Sequence, residues 1–290
     1  MFIDIHVHTR SMPGASRGGK QPYATPTQLI ERYDAIEVER AVILPGVSPE
    51  CSLQPQSNEE VLAISRENDR FIPFCNVDPR AVANSPTADL GHVLRHYKEQ
   101  GAKGLGEITA NLPFLDPMVQ NLFRHCQEVG FPVTFHIAPA VGGYYGLHDD
   151  PGLPQLELTL KRYPDLIFLG HSQPFWAEMA PLPTVGARDG YPDTPITTEG
   201  AIPRLMRRYP NLCGDLSANS GRNALARDMA YAAKFLTEFQ DRLFFGTDIC
   251  APDTPTGLVD LLLELRGSGA ISEAVFQKVA RENAIRLLGL

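Results

Sequence analysis

Apolar and polar residues alternate one by one through FIDIHVHTR (2–10), a pattern that predicts a β-strand. Strict alternation would put Ile3, Ile5 and Val7 on one face and Asp4, His6 and His8 on the other. Further apolar runs follow at RAVILPG (40–46), FIPFCNVD (71–78), AKGLGEI (102–108) and PVTFHIA (132–138). Three more lie at DLIFLGHS (165–172), NLCGDLSA (211–218) and RLFFGTDI (242–249). Between the runs, stretches such as TPTQLIERYDAIEVE, SNEEVLAISREND, PMVQNLFRHCQEVG and GRNALARDMAYAAKFLTEFQ repeat apolar residues at helical spacing. Ser57 followed by Glu60 reads as a capping box at one helix start. Eight strand–helix units predict an α/β fold, the (β/α)8 TIM barrel, with a doubly wound open sheet as the alternative.

The connections support the barrel. Helix-to-strand links such as EVER, ENDR and RYPD are short, whereas strand-to-helix links at 9–26, 138–152 and 173–197 are long and rich in Gly and Pro. An α/β barrel builds its active site from the latter loops, at the C-terminal ends of the strands. No repeat, low-complexity tract or linker divides the chain, so residues 1–290 are expected to form a single domain.

Bulk composition then narrows the function. A hydrophobic share of 43% is ordinary for a globular core, and the net charge of −8 argues against a nucleic-acid binder. Five cysteines with no CxxC pair suit reduced thiols in a cytoplasmic protein. Neither a signal peptide nor a membrane span is expected, and a homo-oligomer is left open.

Metal-binding side chains recur where those strands end. The first strand offers His6 and His8, the fourth Glu107, the fifth His136, the sixth His171 and the eighth Asp248. Imidazole and carboxylate are the usual ligands of Zn²⁺ and related ions. Each residue has a plainer reading alone: Asp248 as a turn cap, Glu107 paired with Lys103, a lone histidine as packing. Six at equivalent strand ends point to one divalent-metal site. Asp4, on the same face of the first strand but deeper, is a candidate to accept a hydrogen bond from a ligand or its neighbour. His148 is a candidate for substrate contact and Cys250 for packing near the mouth, while His92, His96 and His125 fall in helical patterns.

As a set, DIHVH (4–8), GLGEI (104–108), FH (135–136), GHS (170–172), DLSAN (215–219), FGTD (245–248) and ENAIRLLGL (282–290) resemble the amidohydrolase superfamily, in its amidohydrolase-related branch. The resemblance spans the whole chain and implies the same barrel. By position it implies His6, His8, His136 and Asp248 as metal ligands, with His171 either a second-metal ligand or a catalytic group. Asp248 would also manage the proton of the reacting water. Glu107 resembles a metal-bridging glutamate of the deoxyribonuclease branch, which tilts the expectation toward two metals, though it could instead orient His6.

The leading expectation is a metal-dependent hydrolase of a small ester, lactone or amide, with zinc first and manganese second, one or two per chain. Non-oxidative decarboxylation of an aromatic or unsaturated acid is the alternative, a phosphodiesterase ranks third, and a non-catalytic metal-binding barrel stands as the different class. The substrate is read as a small molecule. Arg10, Arg17, Lys20, Arg188 and Arg222 are candidates to clamp an anion, and Tyr144, Tyr145, Phe175 and Trp176 to wall a pocket.

Overall fold

A computed structural model describes residues 1–51 and 54–290. Its strands are β1 (Phe2–Val7), β2 (Val38–Ile43), β3 (Phe71–Pro73), β4 (Leu105–Ile108), β5 (Val133–Ala138), β6 (Leu147–His148), β7 (Phe168–His171), β8 (Leu212–Asp215) and β9 (Leu243–Phe244). All pair in parallel, in one run β1-β2-β3 and a second run β4-β5-β7-β8-β9. Two bridges join the runs into a ring. Cys75 pairs with Leu105, carried by Cys75 N to Gly104 O at 3.0 Å and Gly106 N to Cys75 O at 2.9 Å. Val7 pairs with Ile249, carried by His8 N to Ile249 O at 3.0 Å and Asp248 N to His6 O at 2.8 Å. The expected (β/α)8 barrel is therefore present, with β6 an added two-residue strand inside the long loop after β5, where the sequence suggested only loop.

Three local readings change. The third run narrows to Phe71–Pro73; beyond it Cys75 makes an isolated bridge and the Asn76 side chain donates to the carbonyls of Pro45 and Glu107. In β1 the ladder slips between Asp4 and Val7. Ile3 and Ile5 accordingly pack with Val42, Ile72, Leu169, Phe244 and Leu288, whereas Val7 packs with Phe2 in the larger cluster, so the three do not share a face. Ser57 does cap its helix, accepting from Glu60 N at 3.2 Å, but Glu60 instead accepts from Ser11 N at 2.8 Å. The full reciprocal box is at Thr25 and Gln28.

Asp4 is wholly buried and fastens β1 to its neighbours rather than holding an imidazole. It accepts from the Tyr33 hydroxyl at 2.6 Å, from the backbone N–H of His6 at 2.9 Å and from that of Thr247 at 2.9 Å. Burial pushes its pKa up to about 6, against the lowering effect of those bonds. Among the described residues, no helix is long and apolar enough to cross a membrane.

Candidate metal centre

His6 and His8 stand together at the C-terminal end of β1, with Nε2 atoms 3.1 Å apart. Two carboxylates from distant segments close on the same point. Oε2 of Glu107, from β4, lies 3.7 Å from His6 Nε2 and 3.5 Å from His8 Nε2. Oδ1 of Asp248, just beyond β9, lies 3.7 and 3.6 Å from the same two atoms. Four donors on one ion with bonds near 2.1 Å sit about 3.4 Å apart in a tetrahedron. Five of the six separations, from 3.1 to 3.7 Å, bracket that value, with His6, His8 and Asp248 forming one group of ligand atoms and Glu107, His136 and His171 another. The donor set thus fits a divalent metal such as zinc in both chemistry and spacing.

Glu107 has a second side. Its Oε1 accepts from His136 Nδ1 at 2.7 Å and lies 3.9 Å from His171 Nε2, so the carboxylate links two groups of donors. The structure brings all six residues named from the sequence into one mouth. Glu107 does not pair with Lys103; its ionic partners among the described residues are histidines. Nor does it orient His6.

That orienting group is Asp215, at the end of β8. It is fully buried, and its Oδ2 lies 2.6 Å from His6 Nδ1 and 3.5 Å from His171 Nδ1. This fixes His6 with Nε2 toward the donor cluster, the usual role of a carboxylate behind a metal-binding imidazole. His8 Nδ1 is likewise held on Leu44 O at 2.8 Å and His171 Nδ1 on Ser217 Oγ at 2.9 Å. In the sequence, DLSAN (215–219) stands out only through the family resemblance. The signal for Asp215 was an acid at a strand end, the criterion that selected Asp248.

The charges are unbalanced. Burial opposes a proton on His6, yet Asp215, Asp248 and Glu107 overcome it and raise the imidazole to about 10. Burial would raise Glu107 too, but His136, His8 and His6 hold it well below the usual carboxylate range. Asp215 is lowered against burial by His6 and His171. Burial first, then His6, pushes His171 down to about 4. Among the described residues no Lys or Arg forms an ion pair with any of these three carboxylates. A dication placed among them supplies the missing charge.

Asp248 is the exposed member, with 23% of its side chain open against 5% for Glu107. Its backbone is left-handed, at φ 51°, an uncommon state for a non-glycine residue, and is held by the bond from its N–H to His6 O. Above the donors opens a cleft of 530 Å³ lined by Arg10, Tyr23, Gln56, Thr109, Tyr145 and Cys250, among others. Of the anion-clamp candidates, Arg10 reaches this cleft. Arg188 is instead buried on Glu178, Nε to Oε1 at 3.0 Å, and Lys20 pairs with Asp253 at the surface. Phe175 and Trp176 are buried packing residues and not cleft walls, whereas Tyr144 and Tyr145 are exposed beside the site. His148 lies 3.9 Å from Asp150 and does not line the cleft. Cys250, read as packing, does line it.

Comparison with curated proteins gives no match. Solved structures of similar fold include an amidohydrolase from Burkholderia multivorans with bound zinc, 16% identical at a TM-score of 0.63, covering 100% of this chain and 99% of that one. A 5-carboxyvanillate decarboxylase from Novosphingobium aromaticivorans, complexed with manganese and 4-hydroxy-3-methoxy-5-nitrobenzoic acid, is 16% identical at a TM-score of 0.62, covering 100% and 95%. A probable 2-pyrone-4,6-dicarboxylic acid hydrolase from Acinetobacter baumannii, with citric acid bound, is 14% identical at 0.58, covering 100% and 99%. At such identities the likeness is one of fold. The sequence model of the Amidohydrolase family matches residues 3–290, and on that match the chain belongs to the Amidohydrolase family.

Proposed function

We propose that the protein is a metal-dependent hydrolase of a small ester, lactone or amide. The observation that carries this is the convergence of His6, His8, Glu107 and Asp248 at metal-ligand spacing, with the Asp248 carboxylate open to the cleft. His6, His8 and Asp248 would hold one ion, and Glu107 would join it to a second position beside His136 and His171. Zinc is the first metal to test and manganese the second. When bound, such an ion supplies Lewis acidity toward a carbonyl and makes water acidic enough to attack at neutral pH.

The chain's own residues do the rest. Asp248 takes the proton of the attacking water and returns it to the departing oxygen or nitrogen, from within hydrogen-bond reach of the reacting atoms. His171 is held neutral by burial and by His6, with Nε2 3.8 Å from Asp248 Oδ2, so its uncharged ring can hydrogen-bond the attacking water or the carbonyl oxygen. Asp215 and Leu44 O keep the two β1 imidazoles aimed. A small-molecule substrate and a reducing, cytoplasmic setting belong to the same reading, the latter supported by five free thiols.

Non-oxidative decarboxylation of an aromatic acid is the second reading. It is favoured by the looser second group of donors, where His136 spends Nδ1 on Glu107 and His171 stands 3.9 Å away, an arrangement that suits a single metal. The test is a panel of esters, lactones and amides, with aromatic acids alongside, given to zinc- and manganese-loaded protein. Cleavage of an acyl substrate is expected. Carbon dioxide release from an aromatic acid with no acyl cleavage would overturn the hydrolase reading.

A further inference from the structure

The donor cluster divides the mouth into two lobes of different chemistry. His136, Tyr145, His171 and Asp248 border both. The lobe of 530 Å³ contains Arg10, the only Lys or Arg among the described residues that line either lobe. Arg10 is set into the wall and not spread over the surface: it is 6% exposed, its guanidinium lies 4.0 Å over the ring of Tyr23, and Nη1 donates to the Gln54 carbonyl. Beside it the Gln56 amide donates to Thr9 O at 2.8 Å.

The other lobe, of 650 Å³, has an aromatic wall and, among the described residues, no Lys or Arg. Tyr144, Tyr145 and Tyr191 stand 41%, 42% and 51% exposed around it, so large flat surfaces are left open to a ligand. Asp189 completes the rim, accepting from the Tyr144 hydroxyl at 3.1 Å. Exposed tyrosines on a pocket wall offer broad apolar contact to a planar group.

Charge then sets the direction in which a substrate lies. One dication leaves Glu107, Asp215 and Asp248 in excess and a second would not; in either case Arg10 is the only Lys or Arg among the described residues of the two lobes that can pair with an anionic substituent away from the ions. We propose that the site takes an asymmetric substrate. A carboxylate, or a like anionic group, is held at Arg10, a flat neutral aromatic group lies against Tyr144, Tyr145 and Tyr191, and the reacting carbonyl lies between them. The placing of a carbonyl rests on the hydrolase reading; recognition by charge and shape does not.

Three probes separate the two ends: succinanilic acid, with carboxylate and ring; butyranilide, with the ring alone; and N-methylsuccinamic acid, with the carboxylate alone. Each is titrated calorimetrically into metal-loaded protein, with bound metal measured for every variant. Succinanilic acid is expected to bind at least about tenfold more tightly than either other probe, the scale of one charge-assisted hydrogen bond. Arg10→Gln is expected to remove its advantage over butyranilide while butyranilide affinity holds within about twofold, and Arg10→Lys to keep part of that advantage. Tyr191→Ala is expected to reduce its advantage over N-methylsuccinamic acid. Equal binding of the three probes by the unaltered protein, or an Arg10→Gln variant that keeps the preference, would overturn the proposal. Turnover is read separately, with phenyl hydrogen succinate. Selective binding without cleavage by fully metal-loaded protein keeps this inference and removes the hydrolase reading; cleavage without charge preference does the reverse.

Discussion

The mouth and the loops beside it each bury a group of carboxylates, and their charges are met in different ways. In the loop cluster, Glu178 Oε1 lies 3.0 Å from Arg188 Nε, and the same guanidinium donates to Asp149 O. The Asp149 side chain accepts backbone N–H groups of Asp150, Gln155 and Leu156 at 2.8, 3.0 and 2.7 Å. Burial dominates there: it pushes Asp149 up to about 6, raises Glu178 and lowers Arg188. At the mouth the carboxylates Glu107 and Asp215 shift the opposite way and stay charged, with imidazoles as their only ionic partners among the described residues. A buried carboxylate answered by the chain's own arginine is a structural clamp. Carboxylates answered only by aimed histidines are a candidate site for an outside cation.

Four results would sharpen or break that contrast. The largest effect is expected from Asp248→Asn, which should lower turnover by about 10²- to 10⁴-fold, the scale of a lost general acid–base group, while circular dichroism shows an intact fold. Retained activity would remove the proton-handling role. Arg188→Met should cost about 3–5 kcal/mol of stability in urea titration, as expected when one partner of a buried pair is removed. The bound metal should not change; if it did, the two clusters would not be separate devices. Asp215→Asn should weaken metal affinity about 10- to 100-fold through loss of His6 orientation, measured by chelator competition.

The smallest effect is on pH dependence. Asp149 has a folded pKa of about 6, above its ordinary value of 3.8, so between those values the folded chain holds a proton that the unfolded chain has lost. Stability from this group therefore falls as pH rises through that window and is level above it, with a slope of at most about 1.4 kcal/mol per pH unit. Asp149→Asn should remove the slope from urea midpoints taken across the window; an unchanged slope would assign the titration to another group.

Much of this was legible in sequence because a barrel turns distant strand ends into neighbours. His6, His8, Glu107, His136, His171 and Asp248 could be gathered from strand order and loop asymmetry before any coordinate was known. Asp215 is marked locally only as an acid at a strand end, like Asp248; its pairing with His6, 209 residues away, exists only after closure. Asp4 does accept from the backbone of His6 and of Thr247, but the face it shares was misread, because period-two alternation carries no sign of the slip between Asp4 and Val7 and a one-residue slip changes which face a side chain meets. Loop chemistry was the least legible. Arg10 and Arg188 look alike as loop cations, and only packing separates a cleft residue from a buried clamp.

The most direct test of the account is elemental analysis of protein purified without chelators, then loaded with Zn²⁺ or Mn²⁺ and freed of excess, beside a His6→Ala, His8→Ala double variant. At least one divalent ion per chain is expected in the unaltered protein, lost from the double variant, and a second ion would fit Glu107 as a bridge. Absence of bound metal after loading, or equal metal in both proteins, would contradict the claim that the mouth is a metal centre.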